Sequence, residues 1–150
     1  MYINSITRNF RGLIPVIALI WAGVSLGGNL IAAPAKFIET DLSTAVLLQV
    51  GHAQFLWLGY AEWTLLIFLI LLCLFDRSKG FVLLTIPAAL FVIQQLILMP
   101  ALNDRTFSLI AGEVVAQSSI HLVFVVLECV KFLALSVAGI WFSTRKDQLS

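Results

Sequence analysis

The chain has 150 residues, of which 61% are hydrophobic and 11% are charged, and its mean hydropathy is +1.03. An average soluble domain has about 25% charged residues. The composition therefore excludes a water-soluble globular domain, a disordered chain and a small secreted domain held by disulfides. The net charge of +1 provides no basic surface for nucleic acid. We expect the lipid bilayer, and no nucleic acid, to surround this chain.

Four long apolar segments predict four membrane-spanning helices. Each is longer than the roughly 20 residues that cross about 30 Å of hydrocarbon, and a helix satisfies its own backbone groups in lipid. The segments cover residues 12–35, 42–75, 80–102 and 114–144. Pro34 and Pro100 are expected at the ends of the first and third helices. Because the connections are short, we expect an all-α, single-domain bundle whose helices run up, down, up and down.

The distribution of Lys and Arg predicts the orientation of the bundle. Six basic residues belong to the termini and to the loop between the second and third helices: Arg8, Arg11, Arg77, Lys79, Arg145 and Lys146. The other two loops have only Lys36 and Arg105, together with four acidic residues. Since basic residues remain on the cytoplasmic side, we expect both termini in the cytoplasm. The expected location is the plasma membrane, which in a bacterium is the inner membrane.

Polar side chains recur at one depth in all four segments. Counted from the predicted cytoplasmic ends, Ser25, Glu62, Gln94 and Glu128 lie 13 or 14 residues up their helices, which is about 20 Å at a rise of 1.5 Å per residue. Asn29 lies one turn higher than Ser25, and Lys131 lies one turn below Glu128. Ionisable groups inside a membrane are expensive and commonly mark functional sites. We expect these groups to face one another.

The two histidines of the chain form a second polar level, nearer the external surface. His52 belongs to the second helix and His121 to the fourth. The spacing of seven residues places His121 and Glu128 on one helix face, and His52 shares a face with Glu62. The pattern predicts a vestibule with histidines at its mouth and carboxylates at its floor.

Each of these features also has a purely structural interpretation. Lys131 pairs with Glu62 or Glu128 in one alternative, which neutralises the burial of charge. The histidines are then interfacial groups bonded to water and headgroups, and Gln94 joins helices through hydrogen bonds. The aromatic residues of the second helix (Phe55, Trp57, Tyr60 and Trp63) face lipid or pack in the core.

Several residues occur at spacings known from one family: Gly28-Asn29 near the end of the first helix, Gln94 six residues before Pro100, Arg105, and His121 seven residues before Glu128. At these positions the chain resembles a family of small four-span membrane proteins of poorly defined function, which includes a mammalian member linked to cisplatin resistance. That family has asparagines where Gln94 and Glu128 stand here, and a glycine at Leu122.

A second resemblance rests on Pro100-Ala101-Leu102-Asn103 and on the small residues of the first helix. These features are similar to the anthrone-oxygenase-like proteins, which also have four spans and a Pro-x-x-Asn sequence after the third helix. This resemblance implies oxygen chemistry on lipophilic aromatic substrates.

Together the patterns predict a ligand or cofactor site in the outer half of the bundle. His52 and His121 are the candidate ligands of a metal ion or a haem iron. Asn29, Gln94 and Lys131 are candidate cofactor-binding residues, with Lys131 as the counter-charge. Glu62 and Glu128 are candidate catalytic residues that handle protons.

If the protein is an enzyme, we expect it to oxidise a lipophilic small molecule with a redox-active metal or haem. One alternative is a non-catalytic accessory or binding subunit of a larger membrane complex. Another is a solute or drug transporter, which would need to form a homo-oligomer because four helices are few for alternating access.

Overall fold

The computed structural model describes residues 2–38, 41–75 and 82–146, which form four long helices and no strand. Helix α1 consists of Tyr2–Val24, a π-helical segment Ser25–Ala32 and a last turn Ala33–Ala35. Helix α2 is Thr44–Phe75 and helix α4 is Ile120–Lys146. Helix α3 combines Val82–Ile93, a π-helical segment Gln94–Leu98 and Met99–Ile110. The all-α prediction is confirmed.

Each helix contains a stretch that is long and apolar enough to cross a membrane. The stretches are Gly12–Ala35, Thr44–Leu74, Val82–Ile110 and Ile120–Thr144, with 24, 31, 29 and 25 residues. Many of their large apolar side chains are exposed on the outside of the bundle, as lipid contact requires. The four candidate spans are those of a multi-pass membrane protein.

The end of α3 differs from the sequence prediction. We expected the third helix to end at residue 102 with Pro100 near its end, but the helix continues to Ile110. Pro100 falls in the first turn of Met99–Ile110, where a missing backbone N–H has little cost. The preceding π-helical segment accommodates the proline, since the Met99 N–H there bonds Gln94 O, five residues back. The predicted start of this helix, residue 80, lies outside the described residues.

The beginnings of two helices also differ from the prediction. The fourth helix begins at Ile120 and not at residue 114. Gly112 follows the end of α3 with a φ of +80°, a left-handed conformation that favours glycine. Residues 113–119 form a loop before the fourth helix, and Ser118 Oγ accepts the Ile120 N–H at 3.2 Å. The second helix begins at Thr44 in place of residue 42.

The apolar core lies toward the end of the bundle that is nearer the connection between α2 and α3. Helix α1 packs against α4 and α2, and α3 packs against α4. Trp21, Phe91 and Leu135 are fully buried there. Phe91 makes edge contacts with Trp21 at 5.5 Å and with Trp63 at 5.0 Å between ring centroids. Because this end is densely packed, the polar side chains and the open space lie farther toward the opposite end of the bundle.

Close packing between α1 and α4 requires a glycine at position 139. A Cβ there would lie 2.7 Å from Leu19 Cγ, whereas a Cβ at Gly23 would meet nothing within 4 Å. We expect Gly139→Ala to lower the stability by about 1–3 kcal/mol through overpacking. Gly23→Ala should leave stability unchanged or raise it slightly, because alanine favours helix. Thermal unfolding in mild detergent measures both variants, and equal melting temperatures would contradict this packing.

Candidate functional site

Six buried polar side chains meet at the centre of the bundle, and every helix contributes to them. They are at most 9% exposed. We call them the polar cluster: Ser25 and Asn29 of α1, Glu62 of α2, Gln94 of α3, and Glu128 and Lys131 of α4. The equal depths in the sequence predicted this meeting, and the hydrogen bonds below confirm it.

Lys131 joins the two carboxylates of the polar cluster. Its Nζ lies 2.6 Å from Glu62 Oε2 and 2.9 Å from Glu128 Oε2. It also lies 5.2 Å from the ring centroid of Phe91, so that the aromatic face supports the cation from the core side. These contacts confirm that Lys131 pairs with the glutamates, and its role in binding a cofactor stays a prediction.

Glu128 accepts four hydrogen bonds. Ser25 Oγ donates to Oε1, and Asn29 Nδ2 donates to the same oxygen at 2.9 Å. Gln94 Nε2 donates to Oε2 at 2.9 Å, beside the Lys131 ammonium. A carboxylate has about four lone-pair sites, so all of them are occupied. Through its two oxygens Glu128 therefore links α1, α3 and α4.

The amide of Asn29 lies between the two carboxylates. Its Nδ2 donates to Glu62 Oε1 at 3.0 Å as well as to Glu128. Its Oδ1, on the other branch of the amide, is buried and has no hydrogen-bond donor, and the same is true of Gln94 Oε1. The polar cluster therefore has acceptor oxygens left over.

The π-helical segments hold three members of the polar cluster. Ser25 and Asn29 belong to Ser25–Ala32, and Gln94 begins the segment Gln94–Leu98. A π-helical turn contains an extra residue, which rotates the following side chains relative to an α-helix. In α1 the Ala33 N–H bonds Gly28 O, five residues back, and Gln54 Nε2 donates to this carbonyl at 2.7 Å. The irregular backbone thus gains support from α2.

Above the polar cluster lies a cavity of about 380 Å³. Asn29 and Glu128 belong to its lining, and so do both histidines of the chain. The remaining lining is mostly apolar or aromatic: Leu30, Ala33, Pro34, Phe37, Leu48, Gly51, Phe55, Met99, Leu102, Phe124 and Val125, with Lys36, Asn103 and Thr106 as further polar groups. The lining of the cavity is therefore apolar on its walls and charged where it meets the polar cluster.

His52 is held in place by α3. Its Nδ1 lies 3.2 Å from Asn103 Oδ1, and its ring centroid lies 4.9 Å from that of Phe107. Because an amide oxygen only accepts, Nδ1 is the donor of this hydrogen bond. His121 is exposed. The structure thus brings both histidines to one cavity, in different surroundings.

The part of the cavity near the end of α1 contains Lys36. Its Nζ donates to Gln54 Oε1 at 2.9 Å and lies 5.5 Å from the ring centroid of Phe55. Partial burial lowers the pKa of the Lys36 ammonium. Sequence reasoning treated Lys36 only as a loop charge and missed Gln54. The sequence signal that could have indicated Gln54 was its position on the same helix, two residues after His52 and eight residues before Glu62.

A smaller crevice lies between α2 and α3, next to the cavity. His52, Phe55, Met99 and Asn103 line both spaces. The crevice also contacts exposed residues of the outer surface, such as Tyr60. The His52–Asn103 hydrogen bond therefore belongs to a partition between the central cavity and the lipid-facing side of the bundle.

The aromatic residues of α2 divide between several surroundings. Trp57 and Tyr60 point outward, with 72% and 55% of their surface exposed. Trp63 packs against Phe91 of the core, and Phe55 lines the cavity and meets Phe124 edge-on at 5.7 Å. Phe55 and Phe124 are thus the aromatic pair that a ligand would meet.

The described residues contain no group of three or more His, Cys, Asp or Glu side chains arranged to hold a metal ion. Protein sites for zinc and related ions generally use three or four such ligands. His52 and His121 line the same cavity, but no third donor of these types converges with them in the described part of the chain.

Comparison of the chain with family models, curated proteins and solved structures found no match. The two family resemblances therefore remain predictions.

Lys131 is expected to be essential for stability. Lys131→Met would leave two buried carboxylates without a cation, which costs about 3–5 kcal/mol in comparable buried pairs. The double variant Glu62→Gln/Lys131→Met removes one negative charge as well and should recover part of the loss. Thermal unfolding in detergent compares the two. A double variant no more stable than Lys131→Met would show that charge balance does not dominate the polar cluster.

Proposed function

We propose that the protein is an integral membrane protein whose cavity binds a small lipophilic molecule with one polar group. The observation that supports this is a single cavity in which aromatic walls lead to a preorganised polar cluster. Binding sites for small molecules are mostly apolar and contain a few precisely placed polar groups, and they often lie between the helices of a bundle. Phe55 and Phe124 supply the apolar contacts, while Asn29, whose Oδ1 has no donor, lies beside Glu128 at the polar end of the cavity.

The cost of the polar cluster supports a functional role. Charged groups inside a membrane are expensive even when they are paired, and replacing such a pair by apolar residues is often neutral or stabilising. Six polar side chains from four helices, next to a cavity, exceed what packing of this bundle requires.

The crevice between α2 and α3 supports entry of the ligand from the bilayer. It shares His52 and Asn103 with the cavity and contacts exposed residues at the lipid-facing surface. The π-helical segment and Pro100 in α3 provide a backbone that bends more readily than a regular helix. A lipophilic molecule would pass this partition without crossing water.

Orientation and location follow from the charges. With the six basic residues in the cytoplasm, both termini are cytoplasmic and the cavity opens toward the external side of the plasma membrane.

A binding subunit of a larger complex and a transporter that works as an oligomer both use such a site. The occupied lone pairs of Glu128 favour binding over proton abstraction, and catalytic roles of Glu62 and Glu128 stay predictions.

Filling the cavity should remove the ligand. Val125 lines the cavity, whereas the next residue, Val126, is 52% exposed on the outside of α4. We expect a small molecule to co-purify with the wild type and with Val126→Trp in mild detergent, and to be lost in Val125→Trp because the indole occupies its volume. Solvent extraction and mass spectrometry compare the three proteins. Identical extracts from all three would contradict the binding function, provided that Val125→Trp keeps its thermal stability.

Ligation of a metal ion or a haem iron is the second candidate function. The observation that favours it is the presence of both histidines in one cavity, since imidazole nitrogens are common metal ligands. We expect a purified holoprotein to contain stoichiometric metal or to show a haem absorption band that His52→Phe and His121→Phe each abolish. Metal analysis and an absorption spectrum test this. A wild-type protein with neither metal nor haem after purification from supplemented cells would overturn it.

A further inference from the structure

We infer that the ligand of the cavity is a lipophilic amine bound as its ammonium ion, and that this ion replaces a proton on the polar cluster. The inference rests on the proposed binding function and names the chemical class of its ligand. It depends on three observations about the polar cluster: its charge balance, the acceptor oxygen of Asn29 and the aromatic walls next to it.

The polar cluster has one negative charge in excess. Glu62 and Glu128 contribute two carboxylates, and Lys131 contributes the single ammonium that bonds both. Ser25, Asn29 and Gln94 donate hydrogen bonds to these carboxylates but carry no charge. An uncompensated negative charge is costly in a low dielectric. A second cation in the cavity, or a proton on a carboxylate, removes the excess.

Asn29 lines the cavity and has a buried acceptor oxygen without a donor. The amide nitrogen is used by Glu62 and Glu128, and the buried Oδ1 has no donor. Asn29 itself is 9% exposed and lines the cavity beside Glu128. A ligand N–H would satisfy this acceptor while its charge balances the polar cluster. A neutral ligand or a donor-free ion would meet only one of these two needs.

The walls fit the rest of such a ligand. The rings of Phe55 and Phe124 lie 5.7 Å apart on α2 and α4 and both line the cavity. Aromatic faces attract cations and bury apolar groups. An aryl or alkyl body would pack between these rings with the ammonium directed to Asn29 and Glu128.

A proton and the ammonium compete for the same negative charge. When no ligand cation lies next to the polar cluster, one proton on the polar cluster neutralises the excess. Binding of the ammonium makes that proton unnecessary, and it leaves to bulk water. The other titratable groups that face the cavity are His52 of α2, His121 of α4 and Lys36 at the end of α1. Lys36 donates to Gln54 and lies over Phe55, so it opposes a second cation and sets an upper limit on the affinity.

Three probes that share one naphthylmethyl body separate charge from hydrogen bonding. They are 1-naphthylmethylamine, its trimethylammonium analogue, and the neutral 1-naphthylmethanol. With the wild type in detergent at neutral pH, we expect the amine to bind about tenfold more tightly than the alcohol, because it gains a charge-assisted hydrogen bond. The trimethylammonium ion should bind less tightly than the amine. An alcohol that binds as tightly as the amine would overturn the ammonium ligand, and a trimethylammonium ion that does so would overturn the role of Asn29.

Proton release is measured on the wild type alone. Calorimetry of amine binding in two buffers with different ionisation enthalpies should show release of up to one proton, and affinity should fall as pH decreases from about 8 to 5, where a primary amine stays protonated. The trimethylammonium ion, which cannot titrate, should show the same trend. Binding heats that are equal in both buffers throughout this pH range would overturn the exchange.

Two variants test the source of the selectivity. Glu62→Gln removes the excess charge without altering the cavity lining, so the preference for the amine should disappear while the alcohol still binds. Lys36→Met removes the competing cation and should strengthen binding of the amine but not of the alcohol. A preference that persists in Glu62→Gln would overturn the inference. If Glu62→Gln fails to fold and loses the alcohol as well, proton release and Lys36→Met decide.

Failure of this inference is distinguishable from failure of the binding function. If the alcohol binds the wild type and is excluded by Val125→Trp, the cavity is a binding site whatever the amine does. If no probe binds and no co-purified molecule depends on Val125, both proposals fall.

Discussion

The bundle depends on one ammonium group shared by two carboxylates in a medium that stabilises neither charge. Lys131 lies within 2.9 Å of both Glu62 and Glu128, and three neutral side chains supply the remaining hydrogen bonds. Because these partners come from all four helices, the relative depth of every helix is fixed by a polar contact. The apolar side chains at one end of the bundle then pack with the helices in this one relative position. The cavity remains at the other end.

The depth arithmetic of the sequence predicted the polar cluster for a physical reason. A spanning helix has a nearly fixed rise per residue, so equal counts from one boundary place side chains at equal heights. The cost of unpaired charge in lipid then requires that Glu62, Glu128 and Lys131 meet. The same argument placed His121 above Glu128 on one face. The prediction of the polar cluster and the placement of His121 both depend on regular helical geometry and on the cost of unpaired charge in lipid.

Other features of the site depend on local backbone geometry that sequence periodicity does not contain. The end of α3 was predicted too early because the charge-free segment stops before Asp104, whereas the helix continues through Pro100 to Ile110. Asn103 consequently lies within the helix and can bond His52. The support of Gly28 O by Gln54 likewise arises only because α1 is π-helical at that point.

The position of Lys131 three residues after Glu128 has a consequence for biogenesis. These two opposite charges enter the bilayer on the same helix, as a pair that is already neutral. Glu62 enters on α2, which has no Lys or Arg between Thr44 and Phe75, and Lys131, its cation, belongs to the last helix. The ion pair between Glu62 and Lys131 therefore forms only when α4 is in place, and docking of the last helix converts four inserted segments into one folded unit.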